Sequence, residues 1–346
     1  MNLKELSRRL GLSPTTVSRA LNGYPEVSER TRRRVREAAA AWNYRPNTRA
    51  KSLATGRSLA IGHVLPVSTK HELVNPIFAD FLAGASEAYA TAGYDLFLSI
   101  VPDQDEERAY RDLARRGTVD GVILHGPSVS DSRIGLLNTL GLPCVVHGRS
   151  SGIDEGYNWL DVNNRRAFFR AAAFLLDLGH RRVALLNGGE AMDFATRRRS
   201  GYEQALQERG IPVDPALIAH DEMTETYGHA TAGRLLDGPG PPTAFLVSSL
   251  IPAIGARRAI EERGLRMGRD VSVVTFDDDL SYFRNAGDAP PFTAVRSSVR
   301  AAGLMAAKML LEIIAQGGGA GVPRSRLLEA ELVVGQSTGP FRPPVR

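Results

Sequence analysis

The chain has 346 residues, which is enough for two or three folding units. Its hydrophobic share of 43% and charged share of 23% are typical of a soluble globular protein. The sequence contains no apolar run of about 18 residues, so no membrane-spanning helix is expected. An acidic residue at Glu5 and the lack of an apolar signal region argue against secretion. The single cysteine, Cys144, excludes an internal disulfide and fits a reducing cytoplasm. We therefore expect a cytoplasmic protein, and the lack of a long apolar run predicts no membrane contact.

Charge is distributed unevenly along the chain. Residues 1–57 carry 13 lysines and arginines against four acidic residues, whereas the other residues carry 30 basic against 34 acidic side chains. A basic head on a mildly acidic body indicates that the head binds a polyanion such as nucleic acid. An arginine-rich helical segment without such a partner would have the same charge, so the motifs must decide between the two.

Three short helices are predicted in the basic head. Asn2 caps the first, Ser13 caps the second, which runs from Pro14 to about Leu21, and the third starts after Ser28. The residues predicted to face inward are Leu3, Leu6, Leu10, Val17, Ala20, Leu21, Val35, Ala38, Ala39 and Trp42. Two short helices joined by a tight glycine-containing turn and supported by a third indicate a helix-turn-helix.

The second helix of such a motif lies in the major groove of DNA, with its N-terminal residues toward the base edges. On its outer face, Arg19 can pair with a guanine through two hydrogen bonds, and Thr15 can offer a hydroxyl or a methyl group to a base. Thr16, Ser18 and Asn22 suit phosphates, as do arginines of the third helix. A merely solvated helix face is the alternative interpretation.

Segments Leu12–Gly23, Val27–Arg32, Trp42–Asn47 and Ala50–Leu53 together resemble the signature of the LacI/GalR family of repressors. The resemblance implies that the outer residues of the second helix read bases, that residues 47–55 form a hinge helix which folds on the operator, and that Leu53 inserts into the minor groove. The implied DNA-contacting residues are Ser13, Pro14, Thr15, Thr16, Ser18, Arg19, Asn22, Ser28, Arg30, Tyr44, Asn47, Ala50 and Leu53.

The same resemblance divides the chain into a helix-turn-helix domain at 1–46, a hinge at 47–57 and an effector-binding and dimerisation domain at 58–340. One head is too small to select a genomic site alone. We therefore expect a homodimer that reads a palindromic double-stranded operator.

The body alternates short apolar strands with amphipathic helices, which predicts an α/β fold of parallel, doubly wound sheets in two lobes. The predicted strands are Leu59–Val67, Tyr94–Ile100, Val119–Leu124, Pro143–His147, Val183–Asn187, Ala244–Val247 and Val271–Phe276. The predicted helices include Phe78–Thr91, Glu106–Arg116, Arg165–Leu178 and Arg199–Arg209. The family resemblance continues here and implies a body like the periplasmic sugar-binding proteins, with an effector between the lobes and chain crossings near 160, 290 and 322.

Carried over residue by residue, the resemblance implies that Asp277 accepts hydrogen bonds from ligand hydroxyls and that Arg198 binds the effector. Phe78 and Trp159 can supply flat apolar faces for a sugar ring, although Trp159 is better suited to a core. The full set of expected effector-binding residues is Asn75, Phe78, His125, Arg149, Trp159, Asn163, Arg198, Ser249 and Asp277.

One position departs from the family pattern. Where the family commonly has an Asn-Asp pair after the strand at 244–247, this chain has Ser249 and Leu250, so a hydroxyl remains but the carboxylate is lost. The opening of the chain, Met1–Arg34, is similar to that of α-glucoside-responsive regulators in the family. We therefore expect α-glucosides as the leading ligand class.

Motifs for other chemistry do not occur. The seven histidines lack metal-ligand spacing, there is no CxxC pair or phosphate-binding loop, and neighbouring carboxylates of Asp277–Asp279 point to opposite faces of a strand. We therefore expect no enzyme activity, no cofactor and no metal. Two alternatives stay open: a regulator that responds to a non-sugar molecule, and a sugar-binding transport component, which the basic head argues against.

Overall fold

A computed structural model describes residues 1–21, 23–44, 56–66, 75–154, 156–318 and 321–342. The chain divides into two compact units, a head at Met1–Leu59 and a body at Ala60–Arg346. The predicted hinge helix falls mostly on residues 45–55. Asn47, Ala50 and Leu53 therefore lie outside the described residues, as does Asn22.

The head contains helices α1 (Leu3–Leu10), α2 (Pro14–Leu21) and α3 (Glu29–Ala41). Each starts at the predicted cap, because the side chains of Asn2, Ser13 and Ser28 accept backbone N–H groups at 2.9, 3.0 and 3.3 Å. Leu6 and Val17 are fully buried in the core that these helices share. The caps and the core confirm the predicted three-helix arrangement.

Trp42 does not join that core, contrary to the sequence prediction. It lies just past the end of α3, keeps 38% of its surface exposed, and has the Arg9 guanidinium 5.3 Å from its ring centroid. The apolar periodicity of α3 pointed to an inward position, but the helix ends at Ala41 and the chain turns there. The Trp42 indole therefore lies on the surface of the head, where it contacts the Arg9 cation.

The first sheet of the body has the order β11-β5-β4-β3-β1-β2, with all neighbours parallel. Its strands are β1 (Ala60–Pro66), β2 (Asp95–Val101), β3 (Gly121–His125), β4 (Cys144–His147), β5 (Trp159–Val162) and β11 (Ser325–Leu328). Its helices are α4 (Pro76–Ala92), α5 (Glu106–Arg116), α6 (Ser132–Leu140) and α11 (Val299–Ala315). Helices α4 and α11 pack on one face and α5 and α6 on the other, which makes lobe 1.

The second sheet repeats this plan as lobe 2, in the order β12-β10-β9-β8-β6-β7. Its strands are β6 (Val183–Asn187), β7 (Ile218–His220), β8 (Ala244–Val247), β9 (Ser272–Asp277), β10 (Thr293–Arg296) and β12 (Glu331–Val333). Its helices are α7 (Asn164–Asp177), α8 (Asp193–Glu208), α9 (Glu225–Asp237) and α10 (Leu250–Glu262). Helices α7 and α8 cover one face and α9 and α10 the other, so the predicted doubly wound α/β body is confirmed.

Some elements differ from the sequence prediction. Strands β5, β7, β10, β11 and β12 were not predicted; each has only three or four residues, and these include at least one polar residue. Strand β12 pairs antiparallel with β10. Helix α8 begins at Asp193, six residues before its predicted start, because its first turns bury Asp193 and Arg198, which look like surface residues in the sequence. Among the described residues, no helix is long and apolar enough to cross a membrane.

The chain passes between the lobes three times: between β5 and α7 at 163, between β10 and α11 at 297–298, and between β11 and β12 at 329–330. These points lie three to eight residues beyond the expected positions of 160, 290 and 322. Each crossing lies at the end of a strand. The ends of β5, β10 and β11 therefore meet the region between the lobes, where doubly wound sheets bind ligands.

Helix α4 packs against α11 through glycine, and this predicts a stability effect. A methyl group added at Gly84 would overlap the backbone carbonyl of Arg300, whereas one added at Gly135 in α6 would meet no atom within 4 Å. We expect Gly84→Ala to lower the free energy of unfolding by roughly 1–3 kcal/mol, despite the better helix propensity of alanine. Gly135→Ala is the matched control and should raise it by roughly 0.5–1 kcal/mol. Urea unfolding of both variants measures the two changes in the free energy of unfolding. Changes of the same sign in both variants would refute the close contact between α4 and α11.

Candidate functional site

The outer face of α2 presents the residues expected to read bases. Pro14, Thr15 and Arg19 are exposed, and within the described ranges the Arg19 guanidinium has no hydrogen-bond or ion-pair partner. Ser13 and Thr16 differ, since their hydroxyl oxygens lie 2.8 Å apart and fix the start of the helix. The helix therefore offers an apolar ring, a hydroxyl and a guanidinium on one surface.

The arginines of the head fall into two groups. Arg32 donates to the Val27 carbonyl at 2.9 Å and Arg34 to the Leu10 carbonyl at 2.8 Å, so both hold the head together. Arg30, Arg33 and Arg36 are exposed, and no partner for them occurs among the described residues. This second group is available to contact phosphates, whereas Arg19 is available to contact bases.

The remaining described head residues have supporting positions. Ser28 is exposed, and its hydroxyl lies 2.9 Å from that of Thr31 at the start of α3. Ser18 and Tyr44 are half-buried, and Tyr44 packs against the core of the head, where burial raises its pKa. Their backbone and side chains border the exposed surface of α2 and α3.

Three histidines meet in lobe 1. Nδ1 of His63 in β1 lies 2.9 Å from Nε2 of His125, the last residue of β3, and Nε2 of His63 lies 3.1 Å from the Tyr89 hydroxyl. The ring of His147 at the end of β4 is 5.7 Å from that of His125. Burial lowers the pKa of His63 to about 3 and that of His147 to about 4, and it lowers the pKa of His125 well below the usual value. All three side chains are therefore neutral at neutral pH.

Phe78 and Asn75 border this cluster from α4. The Phe78 ring lies edge-on to His125, with 4.9 Å between centroids. Asn75 caps α4, because its Oδ1 accepts the Ile77 N–H at 3.0 Å. The structure thus brings Phe78 and His125 together, while Asn75 orients the helix that carries Phe78.

Arg149 and Trp159 form a second group in lobe 1. Arg149 Nε donates to Asp161 Oδ2 at 2.8 Å, and its guanidinium lies 4.9 Å from the centre of the Trp159 ring. Burial raises the pKa of Asp161, an effect that the hydrogen bond from Arg149 opposes. One face of Trp159 is therefore occupied by a cation of the same lobe.

Asn163 lies at the first crossing between the lobes. Its Oδ1 caps α7 by accepting the Arg166 N–H at 3.2 Å, and its Nδ2 donates to Glu329 at 2.9 Å, which lies at the third crossing. The side chain thus links two of the segments that connect the lobes. The next residue, Asn164, was not singled out from the sequence, although it donates to Asp161 and accepts from Arg198.

Arg198 is buried in lobe 2 with an aromatic surround. Its Nε donates to Asn164 Oδ1 at 2.8 Å and its Nη1 to the Ser248 carbonyl at 2.5 Å. The guanidinium lies 4.2, 4.8 and 5.0 Å from the ring centres of Phe276, Phe194 and Phe168. No carboxylate of the described residues is within 4 Å of it, and burial lowers its pKa to about 10. A buried cation with unused N–H groups is suited to binding a ligand oxygen.

Asp277 is buried, and its carboxylate is already engaged inside lobe 2. It accepts the Asp279 N–H at 2.8 Å, Arg296 Nε at 3.2 Å and Asn285 Nδ2 at 3.3 Å. Its neighbour Asp278 is only partly buried, and no hydrogen bond to its carboxyl occurs among the described residues. Spacing alone could not distinguish these two neighbours. Three of the roughly four acceptor positions of Asp277 are filled, whereas the carboxyl of Asp278 keeps all of its acceptor capacity.

Ser249 also has a structural partner. It is fully buried and its hydroxyl accepts the Ile251 N–H at 3.4 Å, which caps α10. Ser248 beside it donates to Asn187 Oδ1 at 2.7 Å. The serine that replaces the family's amide is thus part of the helix start.

Two sets of hydrogen bonds join the lobes. Asp80 of α4 accepts both the N–H and the hydroxyl of Ser281, each at 2.7 Å, although Ser281 follows β9 of lobe 2. Asp193 of α8 accepts the N–H of Ser151 at 2.6 Å and bonds its hydroxyl, and it also pairs with Arg197. Sequence reasoning missed both aspartates because their partners lie 201 and 42 residues away. These contacts hold the lobes together on two sides.

The carboxyl of Asp278 predicts a pH dependence. Burial raises its pKa from 3.8 to about 7, opposed by Arg198, so its ionisation destabilises the folded state as pH rises from about 4 to 7. We expect Asp278→Asn to be close to the native protein in stability at pH 4 and to raise the free energy of unfolding by roughly 1–3 kcal/mol at pH 8, less than the full shift because the group is partly accessible. Denaturant unfolding at both pH values measures this. Asp154→Asn, at an exposed aspartate, is the control. If the free energy of unfolding of Asp278→Asn showed no pH-dependent gain over the native protein, the raised pKa of Asp278 would be refuted.

No group of three or more metal-ligating side chains is placed to hold a metal within the part of the chain that the structure describes. A cavity of about 380 Å³ in lobe 2 is lined by Arg182, Tyr202 and the segment 211–215, and none of the expected effector-binding residues lines it. Of the expected residues, Phe78 lies beside His125 in lobe 1, Arg149 and Trp159 form a separate group of that lobe, and Arg198 and Asp277 are buried in lobe 2.

Comparisons with known proteins match both units. A model described as bacterial regulatory proteins, lacI family, matches residues 2–47, and a periplasmic binding protein-like domain matches residues 172–338. The HTH-type transcriptional regulator AglR of Rhizobium meliloti (strain 1021) is 45% identical over 98% of this chain and 95% of its own. The Lac repressor dimer bound to operator and the anti-inducer ONPF has a TM-score of 0.81 at 27% identity, covering 98% of this chain and 99% of that one. The CelR–cellobiose complex has a TM-score of 0.72 at 28% identity, covering 97% and 99%.

Proposed function

The chain belongs to the LacI family of bacterial transcription regulators, and we propose that a sugar bound between the lobes of its body controls how its head binds an operator. It is a DNA-binding regulator and not an enzyme, as its sequence predicted and as its relatives are. The genes under its control would serve carbohydrate uptake or catabolism, and the protein would act on them as a repressor.

The DNA part of the proposal rests on α2. Pro14, Thr15 and Arg19 would read bases, and Arg30 with its exposed neighbours would neutralise phosphates. The hinge at 47–57 would fold on the operator. The matching Lac repressor structure is a dimer on its operator, which supports a homodimer that reads two half-sites of a palindrome.

The sugar part rests on one observation, the buried guanidinium of Arg198, which lies among three aromatic rings, forms no ion pair with a described residue and keeps unused N–H groups. Sugars combine oxygens that accept hydrogen bonds with apolar C–H faces, and such a surround suits both. The CelR structure was solved with cellobiose, a sugar. The finer choice of an α-glucoside rests on the resemblance of Met1–Arg34 to α-glucoside-responsive regulators.

Coupling between the two sites would run through lobe closure. An effector that contacts His125 of lobe 1 and Arg198 of lobe 2 would favour the arrangement that Asp80 and Asp193 stabilise. A ligand shifts such an equilibrium only by its differential affinity for the two arrangements. We therefore expect effector binding to change operator affinity through the hinge and the dimer.

Thermal unfolding against a panel of maltose, trehalose, sucrose, cellobiose and nucleosides tests the proposal. A bound sugar at 100 times its Kd should stabilise the protein by about 2.7 kcal/mol. The same sugar should change binding to operators selected from random DNA. A nucleoside that binds while every sugar fails would replace the sugar by another effector, and failure to select any palindrome would refute operator binding.

A further inference from the structure

Tyr89, His63 and His125 form a chain of side chains inside lobe 1 whose hydrogens can be assigned. The chain runs from the Tyr89 hydroxyl to His63 Nε2 at 3.1 Å, and from His63 Nδ1 to His125 Nε2 at 2.9 Å. Tyr89 and His63 are fully buried, whereas part of His125 remains accessible at the end of β3. The accessible ring is thus connected to two groups that no ligand can reach.

Each of these two hydrogen bonds contains one hydrogen. When both histidine rings are neutral, the hydrogens can therefore be placed in only two ways. In the first, Tyr89 donates to His63 Nε2, His63 donates from Nδ1 to His125 Nε2, and His125 carries its own hydrogen on Nδ1. In the second, His125 donates from Nε2 to His63, and His63 donates from Nε2 to the Tyr89 oxygen. The two assignments give His125 opposite roles toward anything in the cleft.

The second assignment leaves a buried donor without a partner. The Tyr89 hydroxyl hydrogen would need another acceptor, and the described residues provide none within hydrogen-bond distance. An unsatisfied buried donor disfavours the second assignment by roughly five- to 150-fold. The first assignment satisfies both buried side chains, Tyr89 and His63, and leaves only the Nδ1–H of the partly accessible His125 ring to be satisfied from outside.

We propose that Tyr89 and His63 are positioning residues that hold His125 as the tautomer protonated on Nδ1, so that lobe 1 presents an N–H donor to the effector. This inference rests on the proposed effector site for its biological consequence, but not for the tautomer itself. A fixed donor selects an oxygen acceptor at this position. It suits the ring or glycosidic oxygen of a sugar, which can accept but cannot donate a hydrogen bond.

The tautomer can be measured on the full-length protein without ligand. Two-bond ¹H–¹⁵N correlation spectra of protein labelled in histidine distinguish a protonated ring nitrogen from one with a free lone pair. The ring-nitrogen signals that disappear in His125→Gln are those of the His125 ring. We expect Nδ1 of His125 to be protonated and Nε2 to be unprotonated at pH 7.5, and a protonated Nε2 would overturn the proposal.

Tyr89→Phe tests the origin of the preference, and Tyr110→Phe is the matched control. Both tyrosines are fully buried in lobe 1, but the Tyr110 hydroxyl has no hydrogen-bond partner among the described residues. Tyr89→Phe should move the ring-nitrogen shifts of His125 toward the average of two tautomers, while Tyr110→Phe leaves them in place. Unchanged shifts in a folded Tyr89→Phe protein would show that the chain does not set the tautomer.

Titration with maltose separates this inference from the proposed function. If the competent tautomer falls to about half in Tyr89→Phe, the apparent Kd should rise about twofold. Failure of maltose and the other sugars to bind the native protein would count against the sugar proposal. The ligand-free spectra would still decide the tautomer in that case.

Discussion

An Arg198→Met protein is expected to lose its response to sugar while it keeps its fold. Methionine retains much of the apolar length that lies among Phe168, Phe194 and Phe276, but it removes every N–H donor. Loss of a buried charged hydrogen bond to a ligand costs about 2–5 kcal/mol, which corresponds to a 30- to 5,000-fold rise in Kd. The measurement is calorimetric titration with the sugar that stabilises the native protein.

Stability should change far less than affinity in this variant. Replacing a buried cation by an apolar side chain is often neutral or stabilising, whereas Asn164 and the Ser248 carbonyl each lose a partner. We expect the free energy of unfolding to stay within about 2 kcal/mol of the native value. Arg199→Met is the control, because Arg199 pairs on the surface with Glu203 and should leave sugar affinity unchanged. A sugar affinity in Arg198→Met equal to the native one would remove Arg198 from the effector site.

Arg19→Ala should relax the choice of one base pair in each operator half-site. The exposed guanidinium can contact a guanine through two hydrogen bonds, and each such contact contributes about 1–3 kcal/mol of discrimination. Both subunits of a dimer carry the substitution, so binding to a palindromic operator should weaken by roughly 2–6 kcal/mol in free energy. Selection from random DNA, followed by titration of each single-base variant, gives both quantities.

Arg33→Ala separates base reading from phosphate contact. Arg33 is exposed on α3, so its loss should weaken binding to every sequence alike and lower the salt dependence by about one charge per subunit. Arg19→Ala should instead change the preferred sequence. If Arg19→Ala behaved as Arg33→Ala is expected to, α2 would not be the recognition helix.

Much of the head and the fold class could be predicted because the signals are local. A helix cap depends on residues two or three positions apart, which is why Asn2, Ser13 and Ser28 were identified from the sequence and confirmed. Family membership and the regulator function were also predicted and are confirmed by the relatives. The short strands β7, β10 and β12 were missed because three or four residues carry too little periodicity.

The candidate effector site could be predicted only in part. Arg198 was named from the resemblance and His125 from its place at a predicted strand end. No sequence pattern shows that Arg198 has no carboxylate within 4 Å or that His125 bonds His63, which is 62 residues away. Asp277 and Asp278 are adjacent, and only the packing around β9 shows that Arg296 and Asn285 occupy the first while the second stays open. The roles of these residues toward a ligand stay predictions.

A DNA-binding regulator with a basic helix-turn-helix head and a two-lobed α/β body could be predicted from the residues alone. Those features follow from charge, caps and periodicity, which depend on residues close together in the chain. Which polar side chains are already paired and which remain available became clear only from the packed structure, as for the arginines of α3 and the histidines of lobe 1. Packing between distant segments assigns a hydrogen-bond partner, and the linear order of residues does not contain that information.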